Sequence, residues 1–327
     1  MMEAFTDALA QVQGWLFERI LQPILFSIGL THYAEIGFDA IESMLLGIAQ
    51  ITLLFLILRP LEARFPAEQW HDRHEARVDV IYTWLHRLGV LPLLFFILLG
   101  PIQDALQAWL RLHDMIPKNI DDFIPALIER PLLTFCVYFF LLDFADYWRH
   151  RLQHRFNWWW ALHSLHHSQR KMTFWTDDRN HLLDDVLAAA WFAFVALLIG
   201  VSPNQFVWIV IVSKMLESLS HANLRLSFGA IADRLLVSPR FHRVHHAIGL
   251  GHEGRARGVN FSKTFALWDV LFRTAYFEAV NPATGIRDQL SGRDYGNGFW
   301  QQQKRGLVRL AEALFSRHNT PPNRAPS

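Results

Sequence analysis

Long apolar runs limit this chain more than any other feature. Residues 38–58, 80–100, 131–148, 185–201 and 205–220 are mostly hydrophobic, and a helix needs about 20 such residues to cross a bilayer. The last two fall short singly, but only Gly-Val-Ser-Pro-Asn separates them, a turn that permits a helical hairpin and little else. The chain is therefore expected to be all-α: a multi-span helical membrane bundle with a cytoplasmic, histidine-rich helical cap. Composition agrees. Of 327 residues, 52% are hydrophobic and 19% charged, against about 25% charged in an ordinary soluble protein.

Orientation follows from the basic residues, which gather in cytoplasmic loops. Arg59, Arg64, Arg73 and Arg77 follow the first run, and Arg149, Arg151, Arg155, Arg170, Lys171 and Arg179 follow the third. In the 101–130 loop, Arg111, Lys118 and Arg130 are diluted by Asp104, Asp114, Asp121, Asp122 and Glu129. This alternation places the C-terminal region inside and the acidic N-terminus outside. The stretch 15–30, broken by Glu18, Arg19 and Pro23, reads as an interfacial or tilted helix rather than a cleaved signal.

Three regions follow: 1–130, an interfacial helix and two spans; 131–280, the histidine-rich domain; and 281–327, a helix and a tail. The helix, about 299–317, gathers Leu307, Leu310, Leu314 and Phe315 on one face. It suits either the membrane surface or packing on the cap. The tail 319–327 is polar and carries three Pro, the composition of a disordered segment.

Net charge is +1, so no basic field argues for nucleic acid. The single Cys136 excludes an internal disulfide, a four-Cys zinc site and a built-in iron–sulfur cluster. Histidine, at 17 residues, is the unusual count, and its spacing is informative. His150 and His154 are four apart and share a helix face, a stripe that Asp143 and Asp146 continue toward the membrane. His163, His166 and His167 form a second cluster. His242, His245 and His246 repeat its spacing, behind a Ser238-Pro239 pair that reads as an N-cap and first helical residue. His181 and His221 stand alone beside the short runs.

A zinc ion is satisfied by four ligands, or by three and water. Eight to ten imidazoles at one membrane face are too many for one metal and about right for two. Imidazole alone does not choose among iron, copper, zinc and nickel. Attack on an unactivated lipid C–H bond needs a redox metal, and this setting favours iron. Asp146 and Glu217 lie one turn before His150 and His221, while Asp184 and Asp185 follow His181. Such carboxylates orient ligating imidazoles. Lys214 and Glu217 are ionisable groups within a span, a costly placement that usually faces a bundle interior. The run Trp158–Trp160 reads as an interfacial aromatic belt. His71, His74 and His86 are read as surface or interfacial, His32 and His113 fall on the opposite side, and His252 sits in a glycine-rich loop with Gly249, Gly251 and Gly254.

His-x3-His, His-x2-His-His and a second His-x2-His-His on a multi-span chain resemble the fatty acid hydroxylase/sterol desaturase superfamily of membrane di-iron oxygenases. Further matches are His221-Ala-Asn223, Arg179-x-His181, Pro239-Arg240-Phe241-His242, and Asn260 followed by Leu267-Trp268-Asp269, Phe272 and Thr274. The resemblance covers about residues 132–276. Arg273 stands where that family usually has Gly, and Leu182 where Pro is common. The resemblance implies metal binding by His150, His154, His163, His166, His167, His242, His245 and His246, with His181 and His221 as further ligands. Around them it places Asp146, Asp184, Glu217, Asn223 and Asn260.

It also implies two Fe ions, O2 as co-substrate, and a lipid (sterol, fatty acyl or related) that is hydroxylated or desaturated. Electrons come from a separate donor, ferredoxin-like or cytochrome b5-like with a reductase. The expected location is a multi-pass membrane protein with its active site on the cytoplasmic face, in a bacterial inner membrane rather than the endoplasmic reticulum. Rival readings are an ether-lipid or carotenoid hydroxylase on the same scaffold, a membrane metal-binding or transport protein, and a membrane zinc hydrolase. The last wants a His-Glu-x-x-His that the sequence lacks.

Overall fold

The computed structural model describes residues 2–70, 74–115, 119–253, 257–278 and 281–315. The readings of His71, Arg73, Lys118, Gly254 and the tail 319–327 fall outside these residues. Thirteen α-helices run through the described chain. The N-terminal half holds α1 (Met2–Leu16), α2 (Gln22–Ser27), α3 (Ala34–Arg64), α4 (Arg77–Arg87), α5 (Val90–Leu112) and α6 (Ile120–Phe123). Next come α7 (Pro131–Arg155), α8 (Asn157–His167), α9 (Leu182–Ile199) and α10 (Pro203–His221). The last are α11 (Pro239–His245), α12 (Leu267–Leu271) and α13 (Phe299–Phe315). Two isolated bridges, Pro66 with Leu224 and Ala247 with Thr284, are the only β pairings among the described residues.

Among the described residues, three segments are long and apolar enough to cross a membrane: Thr31–Arg64, Pro131–Arg155 and Leu182–Ile199. They differ in what they bury. In α3 the buried residues Gly47, Gln50, Ile51, Leu54, Leu58 and Glu62 recur every three or four positions, one stripe against protein with the rest turned outward. In α9 only Asp184 is buried. A helix this apolar with so few fully buried residues has the length and composition suited to lipid as its solvent.

The run 80–100 is not one span. Gly89, at φ 77°, takes the left-handed conformation that glycine adopts without strain and divides the run into α4 and α5. Beyond it, α4 turns its buried side, including Val78, Asp79, Tyr82 and Thr83, toward the cap. The hairpin between α9 and α10 forms as its short turn predicts. Gly200 ends α9 at φ 71°, Ser202 caps α10 and Pro203 occupies its first turn.

At the N-terminus a π-helical turn, Phe17–Leu21, joins α1 to α2. Gln13 Nε2 donates to the Phe38 carbonyl at 3.0 Å, and Phe17 meets Phe38 edge-on. This segment therefore packs on α3 while leaving Trp15, Ile24 and Phe26 exposed. At the other end α13 lies across α8 with its polar side inward. Gln302, Gln303, Gly306 and Arg309 are buried, whereas Trp300, Leu307, Leu314 and Phe315 are exposed.

Close approach of α3 to the α4–α5 corner depends on Gly47, where a Cβ would stand 1.6 Å from the Arg87 carbonyl oxygen. Gly47→Ala is expected to cost about 1–3 kcal/mol by overpacking, read as a lowered Tm in detergent. Gly100→Ala, which meets nothing within 4 Å, serves as the control and should be neutral or mildly stabilising through helix propensity.

Candidate metal centre

Among the described residues, nine histidines converge in two buried groups. His150, His154, His163, His167 and His245 form one, and His166, His221, His242 and His246 the other. Within each group the ligand nitrogens all lie within 4.8 Å of one another. The helices explain the sorting. His150 and His154 come from the last turns of α7, and His163 and His167, four apart, from one face of α8. His166 looks the other way, and His221 ends α10. In α11, opened by Ser238 capping Phe241 N and by Pro239, His245 joins the first group while His242 and His246 join the second.

The hydrogen bonds fix which nitrogen faces inward. A carbonyl oxygen only accepts, so an imidazole nitrogen bonded to one carries the proton. His150 Nδ1 donates to Phe261 O at 2.6 Å, His245 Nδ1 to Val259 O at 2.7 Å, His154 Nδ1 to Arg257 O at 3.2 Å, and His221 Nδ1 to Glu217 O at 2.8 Å. The neutral rings then present bare Nε2 lone pairs to the centre.

His150 and His245 point these lone pairs at each other across 3.0 Å, with no proton to share. His154 Nε2, His163 Nε2 and both nitrogens of His167 are buried without a partner, an arrangement costing about 1–3 kcal/mol per group if nothing else binds there. In the second group, Nε2 atoms stand 3.0–3.2 Å apart along His166, His221, His242 and His246. Nitrogens about 2.0–2.1 Å from a common ion are spaced by about 3.0–3.4 Å. The residues present therefore fit a metal ion in each group.

Burial keeps the imidazoles neutral, as ligation requires. It drives His166, His167, His242 and His246 well below the usual histidine pKa, with neighbouring imidazoles adding to the effect. His245 is pushed down to about 3, by burial first and against the opposing bond to Val259 O. His163 is lowered by burial, opposed by Asp184.

The expected supporting residues divide. Asp184 receives His163 Nδ1 at 3.2 Å, Gln153 Nε2 at 2.8 Å and Trp159 Nε1 at 2.7 Å, so one carboxylate holds α7, α8 and α9 around the first group. Glu217 reaches His221 through its carbonyl, and its carboxylate pairs with Lys214 at 3.0 Å and with Lys263. Asp146 touches no imidazole in either group; it pairs with Arg149 at 2.6 Å and Lys263 at 3.3 Å. Asn223 braces the chain after α3, exchanging bonds with Glu68 N and O. Asn260, at φ 57°, bonds Phe241 O, Tyr276 O and Tyr276 N. Arg273 sits at φ 58°, a left-handed turn where glycine is the unstrained residue.

His181 is not brought to either group. Its Nδ1 accepts from Leu183 N at 3.1 Å, capping α9, and its Nε2 donates to Gln303 O at 2.9 Å. The helix α13 seats on this ring through Gly306, where a Cβ would meet His181 Cδ2 at 2.3 Å. The Trp belt also needs correction. Trp159 and Trp160 precede His163 by four and three residues and so share its helix face. Trp160 packs on His154, His167 and His252, with centroids 4.8–5.2 Å away. His252 stands outside both groups, and His86 pairs with Asp185 at 3.2 Å. Arg179 ties α8 to α4, bonding Asp79 at 2.7 Å, Leu165 O and Ser168. The sequence reading missed Lys263, Gln153 and the carbonyls of the 257–261 loop. Backbone acceptors have no residue signature, and a lone Lys outside the motifs carried none.

Apolar helices leading to two buried histidine groups define a membrane-type protein with a candidate metal site built of histidine. Residues 135–274 match the family model described as Fatty acid hydroxylase, so this part of the chain is similar to that family. It is 31% identical over 134 residues to an ornithine lipid hydroxylase of Rhizobium tropici, covering 41% of this chain and 39% of that protein. It is 28% identical over 140 residues to the human alkylglycerol monooxygenase, covering 43% and 29%. With the Caenorhabditis elegans alkylglycerol monooxygenase the identity is 30% over 145 residues, covering 44% and 26%. The chain thus spans less than half the length of these curated relatives. No solved structure matches it.

Two outcomes test the site. His166→Ala should empty the second group, halving the metal bound per chain, whereas His181→Ala should keep the metal and lose about 1 kcal/mol or more of stability with its cap; metal analysis and thermal melting separate the two. The second concerns pH. The unfolded chain protonates histidine below about 6.5, while the folded metal-free chain keeps His245 neutral down to about 3. The unfolded state then binds more protons in this window, so stability falls as pH drops below about 6.5 and is flat above it. The slope is about 1.4 kcal/mol per pH unit for each such imidazole. Tm of metal-free protein between pH 8 and 5 checks this, and a level profile would contradict it.

Proposed function

We propose that this chain is a membrane lipid hydroxylase, an O2-dependent oxidoreductase whose two histidine groups each hold an iron ion. The observation that carries the reading is the pair of buried, all-imidazole groups with inward lone pairs on a domain whose matched relatives are named lipid hydroxylases and monooxygenases. Bound iron supplies O2 activation and one-electron redox chemistry, which zinc lacks. The chain's own part is to hold, orient and shield. Carbonyls of the 257–261 loop and of Glu217 fix the tautomers, and Asp184 locks the His163 ring. The nine rings are at most 6% exposed, which excludes bulk water from the reacting centre.

The substrate is an amphiphile that reaches the centre from the bilayer along the apolar helices. Its polar headgroup stays at the interface, where the basic cap faces the cytoplasm of a bacterial cell. Ornithine lipids and alkylglycerols, the compounds in the relatives' names, are the first candidates. Electrons arrive from a separate ferredoxin-like or cytochrome b5-like partner. A hydrolase is disfavoured by the ligand set, since both groups among the described residues contain only histidine and no carboxylate base.

Membranes holding the chain, supplied with reductant and 18O2, should convert an ornithine lipid or an alkylglycerol into a product carrying one 18O atom. Purified protein should hold about two iron ions per chain, following from one ion for each imidazole group. One zinc without iron, or a product labelled only from water, would overturn the proposal.

A further inference from the structure

One turn before the histidines of α7 and α10 lies a bridge of ions that neither histidine group accounts for. Lys263 Nζ stands 3.3 Å from Asp146 Oδ2 and pairs directly with Glu217 Oε1. Asp146 is one turn before His150 on α7, and Glu217 one turn before His221 on α10. One ammonium therefore links the helix that supplies the first group to the helix that supplies the second. Both carboxylates are buried, at 8% and 6% exposed. Each has a second cation, Arg149 for Asp146 and Lys214 for Glu217, with Lys214 shared by Asp178, but neither of these cations reaches both Asp146 and Glu217. Its distinct contribution is the connection.

The ammonium is held from a rigid base. On one side of Lys263, Phe261 N and Ser262 N donate to Asp269 at 2.9 and 2.8 Å. On the other, Thr264 N and Phe265 N donate to Asp143 at 3.1 and 3.2 Å. The same loop provides Val259 O and Phe261 O, which orient His245 and His150. Displacement of the Lys263 segment would therefore move two ligands of the first group through their carbonyls, and His221 of the second through Glu217.

We propose that Lys263 is a positioning residue that ties the two metal groups into one centre and makes filling of one favour filling of the other. Groups supporting ligating histidines typically change metal affinity by about 10- to 100-fold when removed, and this bridge acts on both groups at once. The inference rests on the histidine groups holding metal, but not on the identity of the metal or on the reaction.

The test is titration of the metal-free, full-length chain with cobalt(II), following the visible ligand-field bands of each equivalent. The unsubstituted chain should bind two equivalents cooperatively. Lys263→Met should weaken binding by about 10-fold or more and separate the two equivalents into distinct steps, with Lys263→Arg restoring much of the loss. Glu217→Gln should produce the same separation, with Lys263→Met adding little in that background. It also takes the place of Lys263→Met if that variant does not fold. Lys304→Met, an exposed position on α13, should leave the titration unchanged. Superimposable titrations of folded Lys263→Met and unsubstituted protein would overturn the proposal, as would equal, additive losses from Glu217→Gln and Lys263→Met. No cobalt binding by the unsubstituted chain would instead defeat the metal-site reading on which the inference stands.

Discussion

Neutral imidazoles facing one another without protons are the constraint on which the rest depends. Packing nine of them into a protein interior is unfavourable unless bonds and bound cations satisfy their nitrogens, and the Nδ1 atoms of His166, His167, His242 and His246 have no such bond among the described residues. The outer bonds are visible at His150, His154, His163, His221 and His245, and they come from unrelated stretches: the 257–261 loop, the Glu217 carbonyl and the Asp184 carboxylate. Much of the domain's irregular chain exists to deliver these acceptors. Asn260 and Arg273 take left-handed backbone conformations in the segment that does so, and Asp269 ties it down.

A second condition comes from working between two solvents. The helices α7 and α10 begin in apolar sequence and end in histidines of the two groups, so each passes from an apolar to a polar surrounding along its length. Charges fill that transition in alternation: Arg149, Asp146, Lys263, Glu217, Lys214, Asp178 and Arg87. Isolated, any of them would be costly there; paired in sequence, each satisfies its neighbour. The layer lets two largely apolar helices carry polar ends while their histidines stay close together.

How much of this was legible follows from the kind of signal each feature left. The histidine boxes were plain because helical spacing of three and four repeats in the sequence and needs no partner to be recognised. The hairpin of α9 and α10 was plain for the same reason: its turn residues are local. The break at Gly89 was hidden because a glycine inside an apolar run can be tolerated as well as end a helix. Trp159 and Trp160 looked like a membrane belt since composition does not say which side of a helix meets water, lipid or protein. His181 looked like a ligand beside Arg179, yet it became a cap for α9 and a seat for α13, a contact with a helix more than a hundred residues away.

By itself the sequence determined the candidate spans, the helical class and nine of the histidines that gather, because apolar length and residue spacing act along the chain. Only the tertiary structure decided how the ligands divide into five and four. The eight box histidines belong to three short motifs, but each His-x2-His-His motif sends rings to both groups. Neighbouring positions on a helix point in different directions, and only the packing of α7, α8, α10 and α11 fixes what each direction meets. The same holds for Lys263, an unmarked residue in sequence that stands between two helices once they are assembled.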